Sequence, residues 1–470
     1  MLLISYIREN HEEIVQKMKV RNTDVEHIVE KILALDKRKR EVQKRYENNQ
    51  HSIHISSDEI GNLFKAGKKE EGNVLREKAG SLKEDNKLLH EEVNHLDDEL
   101  LTLMYQIPNL PHSSVTPGRD DADNVELSVW GEKPNLTQKK EHWVLAKEYD
   151  IIDWELGVKI AGAGFPVYRG KGAKLQRALV QFFLDEADEQ GYEEINPPFL
   201  INEASGYGTG QLPDKDGQMY HTERDHLYLI PTAEIPITNI YRDTMVKEKD
   251  FPIKNVAFSP CFRREAGSYG KDVRGLNRLH QFEKVEIVQI THPNNSFETL
   301  EEMVNHVKGL LEKLGLHYRV VRLCGGDLGF ASALTFDFEV WSAAQERWLE
   351  VSSVSNFRSF QANRMKCRFK DENGKTQLVH TLNGSAMALP RIMASVMENY
   401  QTETGVKVPE CLQPFMGGID FIPYNEKKVA AWQAKKAEDE KLAAAKEAKK
   451  SKGKKKEPAA KKEEEEKKTE

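Results

Sequence analysis

Two long series of apolar residues near the start of the chain constrain its fold more than any other feature. In both series the positions are spaced alternately by four and three residues, which is the repeat of a coiled-coil seam. The first series runs from Ile28 to Leu63 and the second from Leu75 to Ile107. Two such helices joined by a short turn predict an antiparallel hairpin, each helix about 50–60 Å long at about 1.5 Å per residue.

Two places in this hairpin have a special composition. Gly67 and Gly72 interrupt the chain between the two series, so the turn is expected there. From His51 to Asp58, isoleucines alternate among serine and histidine, which predicts a local irregularity in the first helix. Taken alone, the pattern favours a plain dimerisation rod.

The composition of the 470-residue chain indicates a cytoplasmic protein that binds no membrane. No apolar run approaches the ~18 residues of a membrane span, and the segment before Arg8 is too short for a signal peptide. The cysteines form no CxxC or Cys/His cluster, so neither a disulfide framework nor a zinc site is expected. They are Cys261, Cys324, Cys367 and Cys411.

Changes in composition divide the chain into four predicted parts. These are an N-terminal domain with the hairpin over residues 1–110, a Pro- and Gly-rich linker over 111–138, a main domain over 139–424, and a charged, disordered tail over 425–470. The net charge of −7 argues neither for nor against nucleic acid. The Lys- and Glu-rich tail either keeps the protein in solution or binds RNA weakly.

The main domain has the pattern of an α+β fold. Strand-like runs dominate it without a regular βαβ alternation, which favours an antiparallel sheet flanked by helices. A helix is predicted over residues 175–190, and a strand over Tyr192–Ile201, where Pro197 and Pro198 require an edge or an interface. The fingerprints GxGxxG and GxxxxGK[ST] are missing from the sequence, so it offers neither common nucleotide-binding loop.

One segment of this domain is the most informative about chemistry. It consists of Phe262-Arg-Arg-Glu265, a Gly/Ser/Arg-rich excursion, and an alternating run from Leu279 to Glu286. Guanidinium groups suit phosphate oxygens and an aromatic ring can stack on a base, so the segment could hold a nucleoside phosphate. The alternative is a solvated hairpin with cross-strand ion pairs. The strand period of two places His280, Phe282, Lys284 and Glu286 on one face, and likewise Arg263 and Glu265 on the preceding strand.

This segment resembles motif 2 of class II aminoacyl-tRNA synthetases. Residues 164–198 resemble motif 1, the dimer-interface element, and Leu382-Asn-Gly-Ser385 leading to Arg391 resembles motif 3. Thr232-Ala-Glu234, residues 350–356 and the helical hairpin narrow the resemblance to bacterial-type seryl-tRNA synthetases. It covers residues 1 to about 424 and implies a class II catalytic domain, with an antiparallel sheet and flanking helices, behind a coiled-coil arm.

The resemblance implies specific roles in ATP binding and catalysis. Arg263 should bridge the α-phosphate and the seryl carboxylate, Glu265 should contact ATP, and Phe282 should stack beneath adenine. Arg391 should cover the opposite face of adenine and reach the γ-phosphate. Whether His280 contacts ATP or only packs is left open. The implied catalytic residues are Arg263, Glu265 and Arg391, and the implied ATP-binding residues are Arg263, Arg264, Glu265, Phe282, Glu350, Val351, Ser352, Ser353 and Arg391.

The resemblance also implies a magnesium site and a serine site. Glu350 and Ser353 match the family's Mg²⁺-holding positions, and their offset of three requires a bulge or turn near Ser352. Carboxylates are natural acceptors for the seryl ammonium and hydroxyl, but the sequence does not divide these groups between Glu234 and Glu286. The implied serine-binding residues are Thr232, Ala233, Glu234, Arg263, Glu286, Asn383 and Ser385. No zinc is expected.

The implied activity is ATP-dependent ligation of L-serine to tRNA(Ser) through a seryl adenylate, with tRNA(Sec) as a possible second substrate. A homodimer is expected, and the hairpin should grip the long variable arm of the tRNA by its shape and phosphates. Two alternatives are a synthetase-like ligase that charges a carrier protein and a non-enzymatic coiled-coil scaffold that binds RNA. Candidate phosphate contacts on the hairpin are Lys37, Arg38, Arg40, Lys44, Arg45, Lys65, Lys68 and Lys69.

Overall fold

The computed structural model describes residues 1–266 and 274–427, together with residues 430, 431, 434, 437, 438 and 441. Most of the tail predicted over residues 425–470 lies outside these residues, so its predicted disorder stays a prediction. The middle of the Gly/Ser/Arg-rich excursion, residues 267–273, also lies outside them. Within the described part of the chain, no helix is long and apolar enough to cross a bilayer.

The N-terminal region is helical and contains the predicted hairpin. Its two long helices bury Val42 against Leu89 and Val93 along the predicted seam, which confirms the coiled-coil pattern. The turn lies at Gly67, whose φ of +79° suits glycine, whereas Gly72 lies within the second long helix. The four helices are α1 (Ile4–Glu9), α2 (His11–Val20), α3 (Glu26–Lys65) and α4 (Lys69–Met104).

The irregularity predicted for the first long helix is wrong, because α3 runs through His51–Asp58 without a break. There the Ser57 hydroxyl donates to the carbonyl of Ile53 at 2.7 Å, one turn earlier, so the helix itself accommodates this polar side chain. Ile53, Ser56 and Ile60 are half-buried while their neighbours are exposed. The seam therefore continues along the same face of the helix.

The main domain combines strands and helices as the sequence predicts. Its helices are α5 (His142–Glu148), α6 (Trp154–Ala161), α7 (Gly170–Glu189), α8 (Glu203–Thr209), α9 (Glu234–Asn239), α10 (Ser296–Lys313), α11 (Phe360–Met365) and α12 (Leu389–Asn399). The strands are β1 (Val125–Trp130), β2 (Ile152–Asp153), β3 (Val167–Tyr168), β4 (Glu193–Glu194), β5 (Leu200–Ile201), β6 (His221–Thr222), β7 (Leu227–Leu229), β8 (Met245–Lys247), β9 (Ile253–Phe262), β10 (Gln281–Thr291), β11 (Tyr318–Arg322), β12 (Leu334–Ser342), β13 (Arg347–Arg358), β14 (Arg368–Lys370), β15 (Thr376–Leu378), β16 (His380–Ala388), β17 (Gly405–Lys407) and β18 (Phe421–Pro423).

Eight of these strands form one large sheet in the order β1-β11-β12-β13-β16-β10-β9-β4. Every neighbouring pair is antiparallel except β4 and β9 at one edge. The core of the domain lies between this sheet and its helices, with Phe183 of α7, Leu310 of α10 and Ile392 of α12 fully buried or nearly so. The predicted antiparallel α+β architecture is therefore confirmed.

Two segments differ from their predicted structure. The strand predicted over Tyr192–Ile201 is divided into β4 and β5, which belong to different sheets and are separated by Pro197 and Pro198. Proline lacks the N–H that would continue the ladder, which explains the division. The predicted linker over residues 111–138 contributes β1, which pairs with β11 at the opposite edge of the large sheet.

A buried arginine attaches the N-terminal region to the main domain. The Arg21 guanidinium donates to the carbonyl oxygens of Asn109, Leu328, Gly329 and Ser332 at 2.7–3.2 Å. Burial lowers the pKa of Arg21 to about 10, so the group stays charged at neutral pH. These bonds hold the base of the hairpin against the main domain.

Candidate active site

A polar cavity of about 760 Å³ brings together the segments that carry the predicted site. Nine of the fifteen predicted residues line it, and they come from the start of α9 and the turn before it, the loop after β9, and strands β10, β13 and β16. The antiparallel pairing of β16 with both β10 and β13 places these distant segments side by side. The nine residues are Thr232, Glu234, Arg263, Glu265, Glu286, Glu350, Ser353, Asn383 and Ser385.

Four predicted residues lie behind the cavity wall. Ala233, Val351 and Ser352 are almost completely buried, so only their backbone atoms are suited to a ligand contact. Phe282 is also buried, and the centroid of its ring lies 5.1 Å from Cζ of Arg263. This distance is within the range of a cation–π contact, so the ring supports the arginine from one side.

The remaining two predicted residues stand beside the cavity. Arg391, in the first turn of α12, donates from Nη1 to the carbonyl of Glu350 at 2.7 Å and to its carboxylate at 3.2 Å. Its Nε donates to the carbonyl of Asn277 at 3.2 Å. Arg264 is exposed, and its backbone N–H donates to the carbonyl of Gln218 at 2.8 Å.

The predicted alternation along β10 is confirmed for Lys284 and Glu286, whereas His280 lies before the strand and Phe282 does not line the cavity. Lys284 and Glu286 face the cavity, whereas Glu283, the residue before Lys284, accepts a 2.5 Å hydrogen bond from Gln176 of α7 on the other face. Lys284 forms an ion pair with Glu286 and donates to the hydroxyl of Thr232 at 2.8 Å. The sequence places Lys284 on this face, but neither the pattern nor the resemblance assigns it to the site.

The expectation that Arg263 and Glu265 lie on a strand is wrong, because β9 ends at Phe262. Both residues still line the cavity, since the chain leaves the strand beside it. Glu265 adopts a left-handed backbone with φ of +49°, which is strained for a residue with a side chain. Its carboxylate lies 3.2 Å from Nη1 of Arg278.

His280 lies one residue before β10 and makes packing contacts. Its ring stacks on Phe165 with centroids 5.3 Å apart and 11° between the planes. Its Nδ1 lies 2.9 Å from the hydroxyl of Tyr220. These contacts belong to the packing alternative that the sequence left open.

Two buried carboxylates share the deep part of the cavity. Glu234 accepts a 2.7 Å hydrogen bond from Gln361 of α11, and Glu286 accepts one of 3.1 Å from Asn383. Burial, and then the charge of Glu286, raise the pKa of Glu234 to about 7. Gln361 belongs to none of the recognised segments, so no sequence signal identifies its part in the site.

The bulge predicted near Ser352 is confirmed. Ser352 lies opposite Phe338 of β12, and Glu350 lies opposite the next residue, Glu339, so Val351 is the extra residue. The bulge restores both Glu350 and Ser353 to the cavity side of the strand despite their offset of three.

The donor set around this bulge fits magnesium. Asp337 of β12 lies directly opposite Ser353, and its Oδ1 is buried without a hydrogen-bond partner. Burial, followed by the charge of Glu350, raises the pKa of the Asp337 carboxyl well above its ordinary value. No group of three or more His, Cys, Asp or Glu suited to a metal occurs among the described residues. Two protein oxygens leave room for phosphate and water oxygens, the ligands that Mg²⁺ prefers.

Comparisons with known proteins agree with this geometry. A family model described as "Seryl-tRNA synthetase N-terminal domain" matches residues 1–111, and one described as "tRNA synthetase class II core domain (G, H, P, S and T)" matches residues 219–400. A curated serine--tRNA ligase of Akkermansia muciniphila is 46% identical over 425 residues, which are 90% of this chain and 99% of that protein. The chain belongs to the seryl-tRNA synthetase family.

Solved structures of seryl-tRNA synthetases share the fold along most of the chain. The Pyrococcus horikoshii enzyme, crystallised with ATP, is 32% identical, has a TM-score of 0.84, and covers 90% of this chain and all of its own. The cytoplasmic enzyme of Naegleria fowleri, in complex with AMP, is 29% identical with a TM-score of 0.80, over 90% of this chain and 99% of its own. The recognition made from the sequence motifs is confirmed.

Proposed function

We propose that the cavity activates L-serine with ATP and that the chain then transfers the seryl group to the 3′-terminal adenosine of tRNA(Ser). The observation that carries this proposal is the convergence of Arg263, Glu234 and the Lys284–Glu286 pair on one polar cavity. A zwitterionic amino acid needs a cation for its carboxylate and acceptors for its ammonium and hydroxyl. The cavity supplies both kinds of group.

Serine is bound in the deep part of the cavity. Glu234 and Glu286 accept from its ammonium and hydroxyl, and Asn383 holds Glu286 in place. Thr232, Ser385 and the backbone of Ala233 complete the pocket. Alanine and glycine leave these buried acceptors without a donor, so the pocket disfavours them by the cost of an unsatisfied polar group.

ATP lies nearer the cavity mouth, beside the two arginines. Arg263 contacts both the seryl carboxylate and the α-phosphate, so it aligns the attacking oxygen with phosphorus and stabilises the charge that develops. Arg391 takes one face of adenine, and Glu265 and Arg264 hold the rest of the nucleotide. Phe282 lies behind the cavity wall and supports Arg263, so it does not stack on adenine itself. A carboxylate oxygen of serine forms the new bond to the α-phosphorus, and pyrophosphate leaves.

Magnesium is held by Glu350 and Ser353 when ATP is bound, beside the backbone of Val351 and Ser352. The ion neutralises charge on the phosphates. The unpartnered Oδ1 of Asp337 opposite Ser353 supports a cation at this place. Glu350→Gln should therefore raise the Mg²⁺ concentration needed for half-maximal activity, and an unchanged Mg²⁺ requirement would argue against these ligands.

The α3–α4 hairpin binds the tRNA, and the main domain forms a homodimer. Lys37, Lys44 and Arg45 are exposed on α3 and available to phosphates. Leu156 and Ile160 of α6, the helix just before the motif 1 segment, are 38% and 74% exposed, and their spacing of four places both apolar side chains on one face of the helix. A second copy covers this face, and sedimentation of a single monomeric species would contradict it. Serylation of tRNA(Sec) is proposed from the family alone.

The decisive experiment is aminoacylation of total tRNA with each of the twenty amino acids, together with serine-dependent ATP–pyrophosphate exchange. Arg263→Ala should lower exchange by about 10³-fold or more, because the transition-state charge loses its main partner. Arg319→Ala is the matched control, since that guanidinium pairs with Glu126 and Glu339 and does not line the cavity. Near-normal exchange by Arg263→Ala would refute the mechanism. Transfer of serine to a carrier protein instead of tRNA would favour the carrier-charging ligase.

A further inference from the structure

A buried histidine connects three segments of the main domain. His142 is the first residue of α5, and Glu398 lies near the end of α12, the helix whose first turn carries Arg391. Both side chains are completely buried. His142 Nδ1 lies 2.7 Å from Glu398 Oε1, and the backbone N–H of His142 donates to the same oxygen at 3.0 Å.

The contacts of the ring determine its tautomer. The backbone N–H of Leu276 donates to Nε2 of His142 at 2.8 Å, so Nε2 carries no hydrogen. The hydrogen is therefore on Nδ1, which donates to Glu398. Burial alone would raise the pKa of the Glu398 carboxyl, but the bonds from His142 and Ser342 outweigh burial and lower the pKa. The pair is a neutral imidazole beside a carboxylate.

The backbone that His142 holds is the backbone that orients Arg391. Leu276 is followed by Asn277, whose carbonyl accepts from Nε of Arg391 at 3.2 Å. The side chain of Asn277 donates to Gln345 at 3.3 Å, and Gln345 donates to Glu398 at 3.0 Å. The backbone at residues 276–277 is thus held through its N–H by the histidine and through a side chain by the glutamine.

The approach of the chain to His142 is unusually close. Gly275 has φ of +64°, and a Cβ built on it would lie 2.2 Å from Nε2 of the histidine. Only glycine allows this approach. The contact therefore depends on both a special backbone conformation and a special residue, at a place where the chain returns from the Gly/Ser/Arg-rich excursion to β10.

We propose that His142 is a positioning residue for ATP: through Leu276 it holds the carbonyl of Asn277 where that carbonyl sets the plane of the Arg391 guanidinium. This inference rests on the proposed contact of Arg391 with ATP. Two edges of the guanidinium are then fixed by backbone carbonyls, Nε by Asn277 and Nη1 by Glu350. Loss of the first edge lets the plane rotate, which weakens stacking on adenine without touching the serine pocket.

Two amide substitutions separate the two hydrogen bonds of the ring. In His142→Asn the short amide reaches Glu398 as a donor but leaves the Leu276 N–H without its acceptor. In His142→Gln the longer amide places its oxygen near Leu276 but loses the donor to Glu398. Kinetic constants are measured by ATP–pyrophosphate exchange, and thermal unfolding is followed for both variants.

We expect His142→Asn to raise KM for ATP by about tenfold, the effect of one lost hydrogen bond to a positioned group, with KM for serine nearly unchanged. His142→Gln should stay within about threefold of the parent for both substrates. The reverse order, with the Asn variant normal and the Gln variant impaired, would show that the histidine acts only through Glu398. Equal changes in both KM values would show a general structural role, and each of these results overturns the proposal.

Further variants test the proposal if His142→Asn and His142→Gln both destabilise the fold. Gln345→Ala removes the side-chain support of Asn277 from a partly exposed loop, and it should raise KM for ATP selectively; an unchanged KM refutes the proposal. His306→Asn, at a half-buried histidine of α10 outside the cavity lining, is the matched control. Arg391→Ala is run beside them. If it leaves exchange intact, the proposed function of Arg391 fails; if it abolishes exchange while His142→Asn stays normal, only this inference fails.

Discussion

Charged pairs are exposed on the helical arm but buried in the cavity of the catalytic sheet. On the arm, Arg38 of α3 pairs with Glu92 of α4, and their side chains are 52% and 36% exposed. In the cavity, Lys284 pairs with Glu286, and their side chains are 7% and 1% exposed. Exposed pairs contribute about 0–1 kcal/mol to stability, whereas an unpaired buried charge costs several kcal/mol.

The difference shows what each region is built to do. The seam of the arm is apolar, so its surface charges are free to meet an external polyanion without weakening the helix pair. The cavity keeps two carboxylates and one ammonium away from water, an arrangement that is costly until an oppositely charged ligand completes it. The apolar seam of the arm and the core of the sheet therefore stabilise the fold. Ligands bind where charged and polar groups still lack a full set of partners.

Among changes to the arm, the largest expected effect comes from removing it alone. Replacement of residues 43–88 by a short Gly-rich turn keeps Val42 beside Leu89 and leaves the base of the hairpin attached through Arg21. Aminoacylation should fall by about 100-fold or more, because the tRNA loses an extended phosphate-binding surface. Serine-dependent exchange should remain within about twofold, because the cavity lies wholly in other segments.

A chain with the intact arm and Arg319→Ala serves as the control for both assays. If the shortened chain charges tRNA as well as the parent, the arm is structural only. If exchange is lost as well, the cavity depends on the arm, and the two regions do not have separate roles.

The second prediction concerns the buried carboxylate pair. Glu234 ionises with a pKa of about 7 in the folded chain, compared with 4.5 for the free side chain. Between pH 4.5 and about pH 7, Glu234 is deprotonated in the unfolded chain but still protonated in the folded chain. The free energy of unfolding therefore falls as the pH rises through this range. Glu234→Gln removes this dependence and should stabilise the fold at pH 8 by up to about 3 kcal/mol, while the gain disappears below about pH 4.5.

The same variant should lose serine-dependent exchange, because a neutral amide replaces one of the two carboxylates that accept from the seryl ammonium and hydroxyl. Glu283→Gln is the matched control. It also replaces a glutamate with glutamine, but Glu283 lies on the face of β10 that points away from the cavity, so this variant should retain exchange. Denaturant unfolding at pH 5 and pH 8 measures the stability difference. A Glu234→Gln variant that is less stable than the parent at pH 8 contradicts the buried-charge argument.

The smallest expected effect is on the arm's surface. Arg38→Ala should change the free energy of unfolding by no more than about 0.5 kcal/mol, because the pair with Glu92 is exposed and screened. If Arg38 also meets a tRNA phosphate, KM for tRNA should rise about twofold to threefold at low salt and less at high salt. Urea unfolding and aminoacylation at two salt concentrations measure both quantities, and a loss of 2 kcal/mol or more would show that the pair is structural.

Local periodicity predicts much of this fold because helices and strands have fixed repeats. The four-three spacing from Ile28 onward predicted the α3–α4 hairpin, and the alternation from Leu279 to Glu286 predicted that Lys284 and Glu286 share a face of β10. The failures are also local. Polar residues near Ser57 suggested a break that the helix accommodates, and Arg263 lies past the end of its strand.

The sequence by itself determined the hairpin, the antiparallel class of the sheet and, through its motifs, the family and nine of the residues that line the cavity. Only the tertiary structure decided that Lys284 neutralises Glu286, that Gln361 holds Glu234, and that Asp337 faces Ser353. The physical reason is the distance along the chain between the residues that interact. A repeat is set by neighbours along one element, whereas these contacts depend on the register between strands far apart in the chain, and no local pattern records that register.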